Sequence, residues 1–174
     1  RHILGCQEIY TSSAIEPYGL NKLMKNPELL QQFEKAKNLL ESYRREQLPA
    51  HQVFDIKKFA KLFAITDLFG NYHALYYSNM RFYYNPVTTL LEPLAYDNEG
   101  IEPLSTSYGL LGSGERIGVA STGTPQLDKL FSSTFFQDPA FYAEYIHALE
   151  EISDPAYLDT FLATYQTKLA SLSS

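Results

Sequence analysis

A chain of 174 residues is long enough for one domain with its own core and does not require a second. A hydrophobic share of 45% beside 20% charged residues sets aside the disordered and fibrous classes. The net charge of −6, with no cluster of Lys and Arg, argues against a nucleic-acid partner, because phosphate binding is driven by grouped cations that release counterions.

The chain opens Arg1-His2-Ile3-Leu4-Gly5, with neither an initiator Met nor the apolar core of a signal peptide. We therefore read residues 1–174 as a single domain cut from a longer chain, with any targeting segment upstream. The lone Cys6 offers no internal disulfide and no metal-ligand spacing, so cysteine does not decide the compartment. No apolar run reaches the length that spans a bilayer, so no transmembrane segment is expected here. The first 25 residues mix turn formers (Ser12-Ser13, Pro17, Gly19) with isolated apolar residues and read as irregular, with room for one short element.

Asn26-Pro27-Glu28 is a helix start, with Asn as N-cap, Pro at the first helical position and an acid in the first turn. Leu29, Leu30, Phe33, Leu40 and Tyr43 then follow helical spacing until Pro49, as expected of a surface helix. Asp55 caps a second helix in which Ile56, Phe59, Ala60, Leu62, Phe63, Ile65, Leu68 and Phe69 leave only the Lys57, Lys58 and Lys61 corner for water. Such a helix is expected to be buried and to end at Gly70-Asn71. Arg81-Phe82-Tyr83-Tyr84 and Leu90 to Tyr96 flank Asn85-Pro86-Val87-Thr88, the pattern of a β-hairpin turning at Asn-Pro.

Residues 98–124 hold six of the nine glycines with many Ser and Thr and read as a long loop. Asp138-Pro139 and Asp154-Pro155 each open a further helix with an acidic N-cap and a first-turn Pro, giving a terminal helical hairpin. The 14 Tyr and 11 Phe, with no Trp, read as rings packing helix faces.

Chemistry requires polar groups that converge, and the stretch from Asp67 to Gly100 offers two such groups flanking the hairpin. A hairpin brings its ends together, so Asn79 and Asp97 fall near one another if the strands pair about the Asn-Pro turn. A carboxylate and an amide oxygen held there suit Mg²⁺, which binds through one or two protein groups plus phosphate oxygens. The alternative is that Asp97-Asn98-Glu99-Gly100 is a plain turn.

Leu68-Phe69-Gly70-Asn71, Asn79, Tyr83-Tyr84, Pro93 and Asp97 form a pattern of Gly-Asn after a helix, a later Asn, an aromatic strand pair and a closing acid, and in this the sequence resembles the CotH (spore coat) kinase family. The run Asp138-Pro139-Ala140-Phe141-Tyr142-Ala143-Glu144-Tyr145 is similar to that family's tail, so the likeness covers residues 27–172. It implies a mainly α (α+β) fold, a protein-kinase-like C-lobe with one short antiparallel hairpin around 81–97. It implies ATP-dependent phosphotransfer to a protein side chain, with Mg²⁺ and ATP as cofactors in the intact protein and the N-terminal half of the same chain as partner. Asp97 and Asn79 become metal ligands, and Asn71 joins Asn79 in the nucleotide site. The family is bacterial and extracytoplasmic, of cell surface or spore coat, and that location follows by the same resemblance.

The chain departs from the pattern at His73, where the family has the catalytic Asp that orients the substrate hydroxyl and accepts its proton. An imidazole accepts a proton near neutral pH, so His73 is one catalytic candidate and Asp67, one helical turn before Gly70, is the other. Asp67 has a competing reading as a helix-end acid on a partly exposed corner. The alternative function is a pseudokinase or a cell-surface protein-interaction module. No Gly-rich strand-turn-strand with an Ala-x-Lys strand is present, and Gly112-Ser113-Gly114 follows no strand signal and lacks the lysine of a phosphate loop. His2, His51, His73 and His147 show no zinc spacing, and no Gly-x-Ser-x-Gly elbow occurs.

Overall fold

The computed structural model describes residues 13–69, 75, 79–96 and 132–172. Among these the fold is mainly helical, with one two-stranded antiparallel sheet. In chain order the elements are α1 (Leu20–Leu23), α2 (Pro27–Arg44), α3 (Ala50–Val53), α4 (Ile56–Phe69), β1 (Arg81–Asn85), β2 (Leu90–Leu94), α5 (Ser132–Phe136), α6 (Pro139–Ser153) and α7 (Pro155–Leu172).

The helix starts follow the local chemistry of their caps. The Asn26 side chain accepts hydrogen bonds from the backbone N–H groups of Glu28 and Leu29, at 3.0 and 3.2 Å, ahead of Pro27. Asp138 accepts from Ala140 N–H at 3.0 Å and Asp154 from Ala156 N–H at 2.8 Å, each one residue before the helical Pro. These bonds satisfy N–H groups that have no partner inside the helix. α2 stops at Arg44, short of Pro49, where Glu46 turns into the left-handed region at φ 57°. The N-terminal segment is tied down by Arg44, whose Nη1 donates to the Ser13 carbonyl at 2.8 Å.

The most extensive helix–helix contact joins α4 and α6. Phe59, Ala60, Phe63 and Ala64 of α4 are fully buried, and Phe141, Tyr145 and Ala148 of α6 face them. The rim of this contact carries Lys61 with Glu151 at 2.9 Å and Lys57 with Glu144 at 4.0 Å. α4 is less enclosed than its composition suggests. Ile65 and Phe69 are 40% and 44% exposed, so water reaches one flank beyond the lysine corner.

Phe135, from the short α5, sits at the centre of the core. Its ring lies 4.8 to 5.4 Å from those of Tyr43, Phe54, Phe59, Phe63 and Phe141, contributed by α2, the residue after α3, α4 and α6. The abundance of Phe and Tyr is thereby spent on packing, the role that amphipathic rings serve most often. Neither α3 nor α5 was expected from the sequence. Both are one turn or little more and contribute by burial: Ala50, Val53 and Phe135 are at most 1% exposed.

The hairpin pairs Arg81 with Leu94, Phe82 with Pro93, Tyr83 with Glu92, Tyr84 with Leu91 and Asn85 with Leu90. At the turn, Asn85 Oδ1 accepts from Val87 N–H at 2.9 Å, the side-chain turn that Asn before Pro favours. Thr89 then adopts φ 59° and donates its N–H to the Asn85 carbonyl at 2.8 Å. Leu91 is buried against the core, and Asp55 N–H donates to the Leu91 carbonyl at 2.9 Å, fastening β2 to the start of α4. The expected loop over 98–124 lies outside the described residues.

Candidate functional site

The base of the hairpin is closed by side chains as well as by register. Two residues outward from Arg81 lies Asn79, and two outward from Leu94 lies Tyr96. The Arg81 guanidinium rests over the Tyr96 ring, 4.7 Å from its centroid. Its Nε donates to the Tyr18 hydroxyl at 2.7 Å and its Nη1 to the Met80 carbonyl at 3.0 Å. Arg81 thus joins the N-terminal segment to both strands, and it does so through a cation–π contact and a fixed fork of donors. Neither Arg81 nor Tyr18 stood out in the sequence, because both depend on a partner far along the chain.

Asn79 is half-buried immediately before β1. Asp97 follows Tyr96 directly and lies outside the described residues, as do Asn71 and His73. The amide oxygen of Asn79 is a hard donor of the class that Mg²⁺ takes. Among the described residues no group of three or more His, Cys, Asp and Glu side chains is placed to hold a metal ion.

Asp67 differs from its expected place. It is not on a partly exposed corner: it is fully buried in the last turns of α4, and the Tyr145 hydroxyl of α6 donates to its Oδ2. The physical reason is that α6 crosses this end of α4 and supplies a hydroxyl, so the carboxyl exchanges water for a buried donor.

A charged group flanks the sheet on the face of Tyr83 and Glu92. Lys58 Nζ lies 2.6 Å from Glu92 Oε2 and 3.4 Å from Asp55 Oδ2, and Asn85 Nδ2 donates to Glu92 Oε1 at 2.7 Å. The hydrogen bond from Lys58, helped by that from Asn85, holds the Glu92 carboxyl below its ordinary range, and the bond to Glu92 raises the Lys58 ammonium in turn.

A second polar centre lies at the start of α6. Asp138 Oδ2 accepts from both the backbone N–H of His51, at 2.7 Å, and its ring Nδ1, at 2.8 Å. Burial works to raise the Asp138 carboxyl, but the bonds from His51 and Ala140 outweigh it and hold the group below its ordinary value. His147 lies exposed on α6.

Among the described residues, no helix is long and apolar enough to cross a membrane. Comparison with known proteins yields no match among protein-family models, curated proteins or solved structures.

Proposed function

We propose that the chain is the C-terminal part of a CotH-like atypical protein kinase domain, whose intact form transfers a phosphoryl group from ATP to a protein side chain. The observation that supports this reading is the closed base of the hairpin, where Arg81 over Tyr96 draws together the strand ends that lead to Asn79 and Asp97. In this reading the Asn79 amide oxygen and the Asp97 carboxylate hold Mg²⁺, with Asn71 beside the nucleotide. The metal, when bound, neutralises charge on the nucleotide phosphates. His73 receives the proton of the substrate hydroxyl. Asp67, enclosed between α4 and α6, anchors the helix that leads to Gly70 instead of touching substrate. The N-terminal half of the longer chain supplies the rest of the nucleotide site, and the location is extracytoplasmic.

The test is phosphate incorporation from labelled ATP by the full-length protein with Mg²⁺. Loss of incorporation in Asp97→Ala and in His73→Ala supports the reading. Unchanged incorporation in both overturns it.

A second reading, a non-catalytic interaction module on the same scaffold, is favoured by α7. Leu158, Phe161, Leu162 and Tyr165 are 57%, 44%, 46% and 46% exposed on this one helix, more apolar surface than a helix usually leaves to water. Under this reading the full-length protein transfers no phosphate from Mg²⁺·ATP to a protein side chain.

A further inference from the structure

His51 is the second residue of α3, and both its backbone N–H and its ring Nδ1 meet one oxygen of Asp138. The Asp138 side chain is 2% exposed, and its other oxygen accepts from Ala140 N–H at 3.0 Å. Three donors thus converge on a carboxylate that remains ionised at neutral pH and therefore accepts only. Nδ1 must carry a proton to make its bond. In the neutral ring this leaves the lone pair on Nε2, because only one nitrogen of a neutral imidazole bears hydrogen. The His51 side chain is 44% exposed while its Nδ1 edge is held against the buried Asp138, so the Nε2 edge is the part that faces water. Asp138 is the one charged group in contact with the ring among the described residues.

We propose that His51 is a phosphorylation site, its Nε2 acting as the nucleophile toward small phosphoryl donors of the phosphoramidate class. An imidazole whose Nδ1–H is directed at a carboxylate has its tautomer fixed and gains electrostatic support as positive charge develops on the ring. The Nε2 lone pair forms the new P–N bond. The donor's own P–N bond breaks with its electron pair on departing ammonia, and the Nδ1 proton stays on the ring in its bond to Asp138. This step uses no residue of the proposed kinase site and does not depend on that reading.

The molecule carries its own control in His147, exposed on α6 with no carboxylate contact among the described residues. The chain is incubated with phosphoramidate at neutral pH and the acid-labile phosphate is located by tandem mass spectrometry. His51 is expected to be modified several-fold faster than His147, and Asp138→Asn to bring the two rates together. Nitrogen-15 spectra of the unmodified chain are expected to show hydrogen on Nδ1 and none on Nε2 of neutral His51. Equal rates at the two histidines, an excess at His51 that survives Asp138→Asn, or an Nε2–H tautomer each overturn the proposal. If Asp138→Asn does not fold, the rate ratio and the tautomer in the unsubstituted chain decide it.

Discussion

The Tyr145 hydroxyl donates a hydrogen bond to the Asp67 carboxylate, and the two side chains, 1% and 0% exposed, meet where α4 packs on α6. A polar link inside the largest helix contact has a cost when it is cut from one side. Tyr145→Phe keeps the ring that packs edge-on against Phe136 at 4.9 Å and removes only the donor. The expected loss is about 1–3 kcal/mol, the penalty for removing one hydrogen-bond donor from a buried polar group. Tyr145→Ala also removes the ring and is expected to cost about 3–5 kcal/mol. Urea unfolding of the two variants measures both.

Phe135 touches rings from four separate parts of the fold, so its loss is not local. Phe135→Ala is expected to cost about 3–5 kcal/mol, a large share of the 5–15 kcal/mol that holds a typical domain together. Circular dichroism during denaturation should show α2, α4 and α6 lost in one transition at a lower midpoint.

Asp138 and Asp154 occupy equivalent caps in different surroundings. Asp154 is exposed and accepts from Ala156, whereas Asp138 is buried and holds His51 as well as Ala140. Asp154→Ala should cost about 1 kcal/mol, the usual worth of an N-cap. Asp138→Ala should cost about 2–3 kcal/mol, since the part-buried His51 N–H is orphaned too. The folded carboxyl of Asp138 lies below its ordinary 3.8, so its contribution is fully present above that pH and is lost as pH falls through the folded value. The stability gap between the unsubstituted chain and Asp138→Ala should therefore close in acid.

Glu92 and Lys58 give a window instead of a single edge. The Glu92 carboxyl is held below 4.5, so its contribution is present above that pH and is lost on acidification. The Lys58 ammonium is raised above 10.5, so its contribution is present below that pH and is lost as pH rises further. Glu92→Gln should be less stable than the unsubstituted chain between these limits and converge with it at both ends. Added salt should narrow the difference, because the Lys58 end of the pair is exposed to water. Thermal melts across pH measure this.

What the sequence made legible was local. Asn26-Pro27, Asp138-Pro139 and Asp154-Pro155 mark helix starts because the cap and its target lie within three residues. The hairpin was legible because Asn85 forms its turn with its own neighbours. α3 escaped notice because Pro49 offers no side-chain cap and four residues show no periodicity. The burial of Asp67 depends on a tyrosine 78 positions later, and the His51–Asp138 contact spans 87 positions; nothing near either residue announces its partner. Of the site residues read from sequence, Asn79 falls at the mouth of the hairpin and Asp67 falls in the core. Asn71, His73 and Asp97 lie outside the described residues.

The most direct test of the metal site is paramagnetic broadening by Mn²⁺, which substitutes for Mg²⁺ at oxygen-donor sites. Mn²⁺ is added with ATP to the full-length protein, and amide resonances are followed at substoichiometric metal. The expected result is broadening centred on Asn79 and Asp97, lost in Asp97→Ala. Broadening centred elsewhere, or unchanged by Asp97→Ala, would contradict a metal site at the base of the hairpin.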